Sequence, residues 1–546
     1  MSLNERPKFA NFENPYTFSN SFCRFDIKSK KFIFPDNFPP RDKKYCGGVP
    51  LLYENGNVFV DTTDTHTLVF GATGSLKSRT VVMPTIKVLG YAGESMIIND
   101  SKGELYSKLA YELKNKRGYK LIVINLRNPS VSNAWNPLKI PYEFYINGDL
   151  DRASEFANDI ANNLMLAEIA TQDPFWDYSA SDLFFGLILL LFKYCKEYNQ
   201  PIEAVNIGNI IKLRQLIFED DSPEYNRLWK YAKDDELIAT SLSGAITAPT
   251  NTRNSILSVF DQKMRAFSIQ PTLLNMLSDN NFDIEDITKG KTAIFLITPD
   301  EKTLYHRLVA LFIKQSYEYI IYLAQKNDDY KVNNRINYVL DEYSSLPYIH
   351  DMASMISAAR SRDIRFLLVI QSKKQLIQRY SEEADTIISN CTNWIFLTSR
   401  ETELLQELST LCGNDKSTGK PNITVYDLQH LSKKNCEALV LSGRLKPALN
   451  HLLDIDRYGD SESKFLDFEE LPRKDRIILS FNLSSDKSPS NPDNTQADED
   501  EEKRNEERRA YLEARRQEIL RRMQAEKEEN NNSENTDTTD TEESNE

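Results

Sequence analysis

Short apolar runs alternate with stretches of helical periodicity in two separate parts of the chain. A strand buried on both faces gives a continuous apolar run, whereas an amphipathic helix repeats its apolar positions every three to four residues. Strands that alternate with helices in this way are typical of a parallel sheet covered by helices on both faces. The pattern predicts an α/β fold with a doubly wound parallel sheet. Its expected strands are residues 67–70, 95–100, 120–126, 291–298, 335–342, 363–371 and 393–398.

The stretch between the two α/β parts has helical periodicity only. Its expected helices are residues 150–165, 179–196, 207–218, 223–233 and, in pieces, 238–267. This pattern predicts an all-α domain inserted into the α/β domain. The longest apolar run, residues 183–192, is half as long as a membrane span and therefore indicates a buried core helix. We expect no transmembrane segment.

The two ends of the chain differ in composition from the middle. Residues 1–60 have weak periodicity and predict an irregular lead-in, with one short hairpin at 51–60 across Asn55-Gly56. Beyond residue 484, Ser, Asn, Asp, Glu, Thr and Pro dominate, which predicts a disordered acidic tail containing a charged helix. The expected domains are therefore 1–60 (lead-in), 61–145 and 286–484 (the two parts of the α/β domain), 146–285 (all-α) and 485–546 (tail).

The net charge of −14 belongs mostly to the tail. Residues 486–546 hold 20 acidic and 10 basic residues, so the body carries only about −4. The 6 cysteines are far apart and lack metal-ligand spacing, which indicates a reducing compartment without structural zinc. No signal peptide is apparent near Met1, and we expect a cytoplasmic location.

A glycine-containing loop follows the first predicted strand of the α/β domain and leads into a helix. The loop approximates G-x-x-x-x-G-K-[ST], the phosphate-binding P-loop, through Gly71, Lys77 and Ser78. Its backbone N–H groups and Lys77 would bind the phosphates of ATP, and the Ser78 hydroxyl would bind Mg²⁺. Leu76 occupies the position of the second template glycine. We expect its side chain to point away from the nucleotide, onto the sheet or the helical domain, with Gly74 absorbing the strain.

A second acidic motif ends the predicted strand at 335–342. Asp341 would hold Mg²⁺, and Glu342 would orient and deprotonate the attacking water. Two acids at the end of a strand are common by themselves, but here a P-loop precedes them on the same predicted sheet. Because ligands of open α/β sheets bind at the carboxyl ends of the strands, we expect Lys77, Asp100 and Gln371 to gather there as well.

Several longer segments carry a family resemblance. They are 93–106 (GESMIINDSKGELY), 135–138 (WNPL), 340–343 (LDEY), 359–365 (ARSRDIR) and a set of matches between 369 and 397. In order and spacing they resemble the TraG/TraD-like coupling proteins of conjugative type IV secretion, over roughly residues 65–445. The resemblance implies a RecA-like P-loop ATPase with an inserted all-α domain. It also implies a ring homo-hexamer that exports single-stranded DNA, with its attached relaxase, to a type IV secretion channel.

The resemblance also implies roles for individual residues. Gln371 would sense the γ-phosphate, beside the catalytic Glu342 and the Mg²⁺ ligands Ser78 and Asp341. One of Arg360 and Arg362 would reach the phosphates of a neighbouring subunit as an arginine finger, the alternative for each being a surface salt bridge. The expected ATP contacts are Gly71, Thr73, Gly74, Ser75, Lys77 and Ser78.

Two departures from the family pattern leave other functions open. Leu76 predicts slow hydrolysis, and it favours an alternative in which the chain is a weakly hydrolysing or non-hydrolysing adaptor that recruits the DNA–protein substrate. Many family members carry N-terminal membrane helices, which we do not expect in this sequence. It would then dock at the inner face of the cell membrane through a partner, or act as a related ring motor in mobile-element maintenance or defence.

Overall fold

The computed structural model describes residues 20–35, 44–166, 174–218, 223–299, 303–459, 464–471 and 473–481. All of them belong to one compact unit, Met1–Phe481. The predicted acidic tail and its charged helix lie outside the described residues.

A small antiparallel sheet precedes the P-loop strand. Its order is β2-β1-β4-β3, and the predicted hairpin across Asn55-Gly56 joins β3 to β4. The expectation of an irregular lead-in is wrong for the described part of this region, because β1 and β2 also form. Their alternation of buried and exposed residues lasts only three or four positions, which is too short to stand out in a sequence. The strands are β1 Cys23–Asp26, β2 Lys31–Ile33, β3 Val49–Glu54 and β4 Asn57–Asp61.

The main sheet has nine strands in the order β13-β12-β11-β5-β10-β9-β6-β8-β7. The seven strands from β11 to β7 in this order pair in parallel, which confirms the predicted doubly wound α/β fold. Two antiparallel strands, β12 and β13, extend one edge. The strands are β5 Thr67–Gly71, β6 Ser95–Asp100, β7 Lys120–Asn125, β8 Thr292–Ile297, β9 Ile336–Leu340, β10 Ile364–Ile370, β11 Asn393–Thr398, β12 Glu437–Ser442 and β13 Ala448–His451.

Helices cover the sheet and build the insertion. Between β7 and β8, the described residues contain helices and no strand, as the sequence predicted. The helices before and within the insertion are α1 Met83–Ala92, α2 Glu104–Tyr111, α3 Lys139–Ile146, α4 Leu150–Met165, α5 Phe175–Glu197, α6 Ile207–Ile217, α7 Pro223–Lys233, α8 Glu236–Ile246, α9 Thr250–Ser268, α10 Pro271–Met276 and α11 Asp286–Lys289. Those after β8 are α12 Thr303–Ala324, α13 Met352–Ala359, α14 Lys373–Tyr380, α15 Glu383–Asn390, α16 Thr402–Leu411 and α17 Val425–Gln429.

Helix α5 contains the longest apolar run and forms the core of the insertion. It packs against α4, α8 and α9. Among the described residues it is the one helix whose length and composition would suffice to cross a membrane, yet 61% of its most apolar window is buried in the protein. The burial agrees with the core helix that the sequence predicted.

The described residues 464–471 and 473–481, which we call the C-terminal strap, contact both parts of the molecule. The ring of Phe468 stacks on Tyr106 of α2 with a centroid distance of 4.6 Å. Further along, the backbone N–H of Leu479 donates to Oδ1 of Asn209, on α6 of the insertion, at 3.0 Å. The strap therefore bridges the sheet domain and the all-α insertion.

Candidate nucleotide-binding site

The predicted P-loop lies between β5 and a wide helical turn, Ser78–Val82, that leads into α1. Met83 N–H bonds to Ser78 O, one residue further back than in an α-helix. Pro84 follows directly, and its missing N–H favours such an offset. At the start of the loop, a Cβ on Gly71 would lie 2.4 Å from Ser75 Oγ. Only glycine lets the loop close over itself at this position.

Leu76 itself adopts a left-handed backbone conformation. Its φ is 68°, and Gly74 has φ 77°. Leucine rarely occupies this region because its Cβ crowds the backbone carbonyl. The expectation that Gly74 absorbs the strain is therefore wrong, since Leu76 takes up the conformation that the template glycine would have. Its side chain faces the sheet, where it lines a cavity of about 220 Å³ with Leu397 of β11, Leu431 and Cys436.

Lys77 is buried at the end of the loop and is held by backbone carbonyls. Its Nζ donates to Gly71 O at 2.5 Å and to Ala72 O at 3.3 Å. Burial lowers the pKa of Lys77, and the charges of Asp341 and Glu342 oppose that effect. An incoming phosphate would replace the carbonyls as the partner of this ammonium group and restore its preference for the charged form.

Ser78 and Asp341 meet across the sheet. Ser78 Oγ donates to Asp341 Oδ2 at 2.8 Å, although the two residues follow different strands. The Asn99 side chain fixes the Asp341 backbone by donating to its carbonyl at 2.7 Å. Burial raises the pKa of Asp341, while the bond from Ser78 lowers it. A hydroxyl and a carboxylate at this separation are oxygen donors of the kind that Mg²⁺ takes, so the residues fit the predicted metal.

Glu342 follows Asp341 in a left-handed conformation with φ 53°. Both oxygens of its carboxylate are engaged by the loop after β6. Ser101 Oγ donates to Oε2 at 3.1 Å, and Lys102 Nζ lies 3.2 Å from Oε1. The predicted base thus lies beside the metal position and faces β6.

Asp100 stabilises the loop that reaches Glu342. Its Oδ2 accepts a hydrogen bond from the backbone N–H of Tyr106 at 2.8 Å, inside the first turn of α2. Burial raises the pKa of Asp100 to about 6, and the charge of Asp341 adds to the effect. Asp100 reaches the carboxyl edge of the sheet, as expected, but its carboxylate binds the start of a helix.

Gln371 completes the group at the carboxyl edge. The Thr73 hydroxyl donates to Gln371 Oε1 at 3.2 Å, which joins the P-loop to the end of β10. A cleft of about 600 Å³ opens beside this contact and is also lined by Gln375 and Arg400. The structure therefore brings together the predicted residues from the ends of β5, β9 and β10.

A family model described as "Type IV secretory system Conjugative DNA transfer" matches residues 26–432. The chain belongs to this family. The match confirms the resemblance seen in the sequence and includes every residue of the candidate site.

The curated relatives of this chain are distant in sequence. The type IV secretion system-coupling protein VirD4 of Bartonella quintana (strain Toulouse) is 21% identical over 67% of this chain. A conjugal transfer protein TraG of Escherichia coli is 22% identical over 64%. In both comparisons, the chain spans 55% of the relative's length.

Solved structures of the conjugative coupling protein TrwB share the fold. An unbound form of TrwBdeltaN70 has a TM-score of 0.53 and is 16% identical, covering 76% of this chain and 90% of that one. TrwB in complex with ADP and Mg²⁺ gives 0.52 at the same identity, covering 76% and 88%.

The two arginines predicted as fingers lie at the opposite edge of the sheet. Arg360 and Arg362 precede β10, whereas Gln371 follows it. Arg360 donates to Asp64 Oδ1 at 3.0 Å, and the Arg362 guanidinium lies 6.0 Å from the ring of Tyr330. They do not join the P-loop of their own subunit. Their action on a neighbouring subunit stays a prediction.

The sequence alone assigned no role to three residues of the site. Ser101 and Lys102 lie within the recognised 93–106 segment, but a loop serine and a loop lysine before a helix are usually solvated. Arg400 follows β11, the last parallel strand along the chain. Its position at the end of a strand is the sequence feature that could have identified it.

Proposed function

We propose that this chain is an ATP-driven coupling protein that binds Mg²⁺-ATP and moves single-stranded DNA, with its attached relaxase, towards a type IV secretion channel. The carrying observation is the convergence of two contacts at the carboxyl edge of the sheet, Ser78 with Asp341 and Thr73 with Gln371. The family match and the fold shared with a nucleotide-bound TrwB support the same function.

The residues divide the chemistry among them. Loop N–H groups and Lys77 would bind the phosphates, and Ser78 and Asp341 would hold Mg²⁺, which would neutralise charge on the phosphate oxygens. Glu342 orients a water molecule whose oxygen bonds to the γ-phosphorus, and Gln371 senses the γ-phosphate. The bond to the oxygen bridging the β- and γ-phosphates then breaks, and the water's proton passes to the Glu342 carboxylate.

We further propose that the chain works as a homo-hexameric ring. Arg360 and Arg362 lie at the sheet edge opposite their own P-loop, so only a neighbouring copy could place one of them against ATP. The relatives' names refer to secretion and conjugation, which supports a position at the inner face of the cell membrane, reached through a partner.

A non-hydrolysing adaptor is the second candidate, and the conformation of Leu76 favours it. In that case the chain would bind nucleotide and recruit the DNA–protein substrate without turnover. The strained backbone lies next to Lys77, where a small displacement would misplace the phosphates.

An ATPase assay with and without single-stranded DNA separates the two functions. We expect DNA to stimulate hydrolysis, and we expect Glu342→Gln to lower kcat about 100-fold or more while ATP binding persists. Glu155→Gln, at an exposed position in the insertion, is the matched control and should behave as wild type. Wild-type protein that binds ATP but does not hydrolyse it with DNA present would establish the adaptor instead.

A further inference from the structure

The surroundings of Glu342 are asymmetric. In the sheet, β9 lies between β10 and β6, and β5 lies beyond β10. Neighbouring strands are about 4.8 Å apart, so the P-loop is about two strand spacings from Glu342 on one side. Ser101 and Lys102 are one spacing away on the other side. Both carboxylate oxygens of Glu342 are bonded on that other side.

The loop that engages Glu342 is itself held in place. Asp100 binds the first turn of α2, immediately after the loop. The Arg127 guanidinium donates to the carbonyl of Ser101 at 3.3 Å and to Thr298 O at 3.4 Å. The donors to Glu342 thus come from a loop fixed at both ends, which makes the carboxylate the movable partner.

We propose that Ser101 and Lys102 form a resting clamp that holds the Glu342 carboxylate turned away from the nucleotide, so that hydrolysis requires its release. The inference rests on the proposed ATPase function and assigns Lys102 as a positioning residue that acts through Glu342. The clamp suppresses hydrolysis in the absence of DNA.

The contacts of Ser101 and Lys102 with the Glu342 carboxylate are weak enough to break during ATP hydrolysis. The Lys102 side chain is 50% exposed and that of Glu342 is 22% exposed. Ion pairs this close to water are weak, so the clamp biases the position of the carboxylate without locking it. Once released from Ser101 and Lys102, the Glu342 carboxylate turns towards Gln371, where it can accept a proton from water.

The test measures ATP hydrolysis by the full-length chain at saturating Mg²⁺-ATP, with and without a single-stranded oligothymidine. In Lys102→Ala we expect the DNA-free kcat to rise about fivefold, the effect of one partly exposed ion pair. The KM for ATP and the DNA-stimulated rate should stay at wild-type values, so that the stimulation ratio falls. Lys102→Arg should restore the wild-type ratio, and Lys116→Ala, at an exposed lysine, should not change it.

A second arm tests whether the effect passes through the carboxylate. Ser101→Ala should raise the DNA-free kcat in the same direction, and Lys102→Ala combined with Glu342→Gln should be inactive. An unchanged or lower DNA-free kcat in folded Lys102→Ala would overturn the clamp, as would a raised rate that survives Glu342→Gln. Such results with a hydrolysing wild type refute the clamp alone, whereas a wild type without hydrolysis refutes the ATPase function and the clamp together.

Discussion

At the scale of single residues, the P-loop combines a good chemical match with one unfavourable backbone position. Lys77, Ser78 and Asp341 lie at the carboxyl edge of the sheet, where Ser78 bonds to Asp341, but Leu76 holds φ 68° beside them. An L-residue with a Cβ loses about 1 kcal/mol or more there relative to glycine. The loop therefore stores a cost that a single substitution would relieve.

Leu76→Gly should raise the melting temperature of the nucleotide-free chain, because glycine accepts this conformation without strain. The expected gain in the free energy of unfolding is about 1 kcal/mol, and ATP turnover should rise or stay the same. Thermal unfolding followed by circular dichroism measures the stability change.

Gly74→Ala is the matched control in the same loop. Gly74 has φ 77°, and an added Cβ would meet no atom within 4 Å. Its effect is therefore purely conformational, and it should destabilise the chain by a similar amount. If Leu76→Gly instead lowers the melting temperature, the partial burial of the leucine side chain outweighs the strain.

At the scale of elements, long buried strands and helices could be predicted from sequence and short edge strands could not. The seven parallel strands are continuous apolar runs because helices cover both faces. Helix α4 matches its expected bounds, and the amphipathic pattern explains why. By contrast, β1, β2 and β13 have three or four residues each, too few for a strand pattern to stand out from the surrounding sequence.

The residues of the candidate site likewise divide into those that the sequence could identify and those that it could not. Motif spacing identified Lys77, Ser78 and Asp341, since their roles follow from residue type and strand order. It could not identify the contacts of Glu342 with Ser101 and Lys102, because these depend on how a loop folds back over the sheet edge. The left-handed backbone of Leu76 was equally hidden, since a template position fixes a residue's place and leaves its conformation open.

Within the insertion, a close helix crossing gives a testable element-scale prediction. Gly186 on α5 faces α8, and an added Cβ would lie 2.7 Å from Leu242 Cδ2. Gly186→Ala should therefore force the helices apart and cost about 1–3 kcal/mol of stability. Urea unfolding monitored by fluorescence measures the loss.

Gly244→Ala, on α8, is the control for helix propensity. An added Cβ there meets no atom within 4 Å, so alanine should stabilise the chain by about 0.5–1 kcal/mol. Equal stability of the two variants would show that the α5–α8 crossing tolerates a methyl group and that close packing does not hold the insertion together.

At the scale of the whole molecule, the C-terminal strap connects the sheet domain to the all-α insertion. The matched residues end at 432, before β12, β13 and the strap. Leu479 and Phe481 are buried, and the Phe481 ring lies 5.0 Å from that of Tyr194 on α5. The last described residues of the compact unit thus contribute apolar contacts to the insertion.

Two truncations should differ sharply. Cutting after Ser485 removes the acidic tail, and we expect the melting temperature and ATPase rate to stay essentially unchanged. The negative charge of the tail repels DNA, and we propose that the tail tethers a protein partner instead. Cutting after Gly459 also removes the strap and should lower the free energy of unfolding by roughly 3 kcal/mol, through the loss of buried Leu479 and Phe481. Calorimetry of both proteins measures the difference. A large loss on removing the tail alone would show that it packs on the body.

The position of β5 between β11 and β10 has a consequence for how the protein is made. Strand β5 pairs with β10 and β11, whose residues 364–398 emerge from the ribosome long after residues 67–71. At roughly 5–20 residues per second, the P-loop strand waits for tens of seconds without either neighbour. Long-range parallel pairing of this kind is slow to form. A nascent chain therefore lacks the candidate nucleotide site until most of the protein has been synthesised, so nucleotide could bind only to a nearly complete chain.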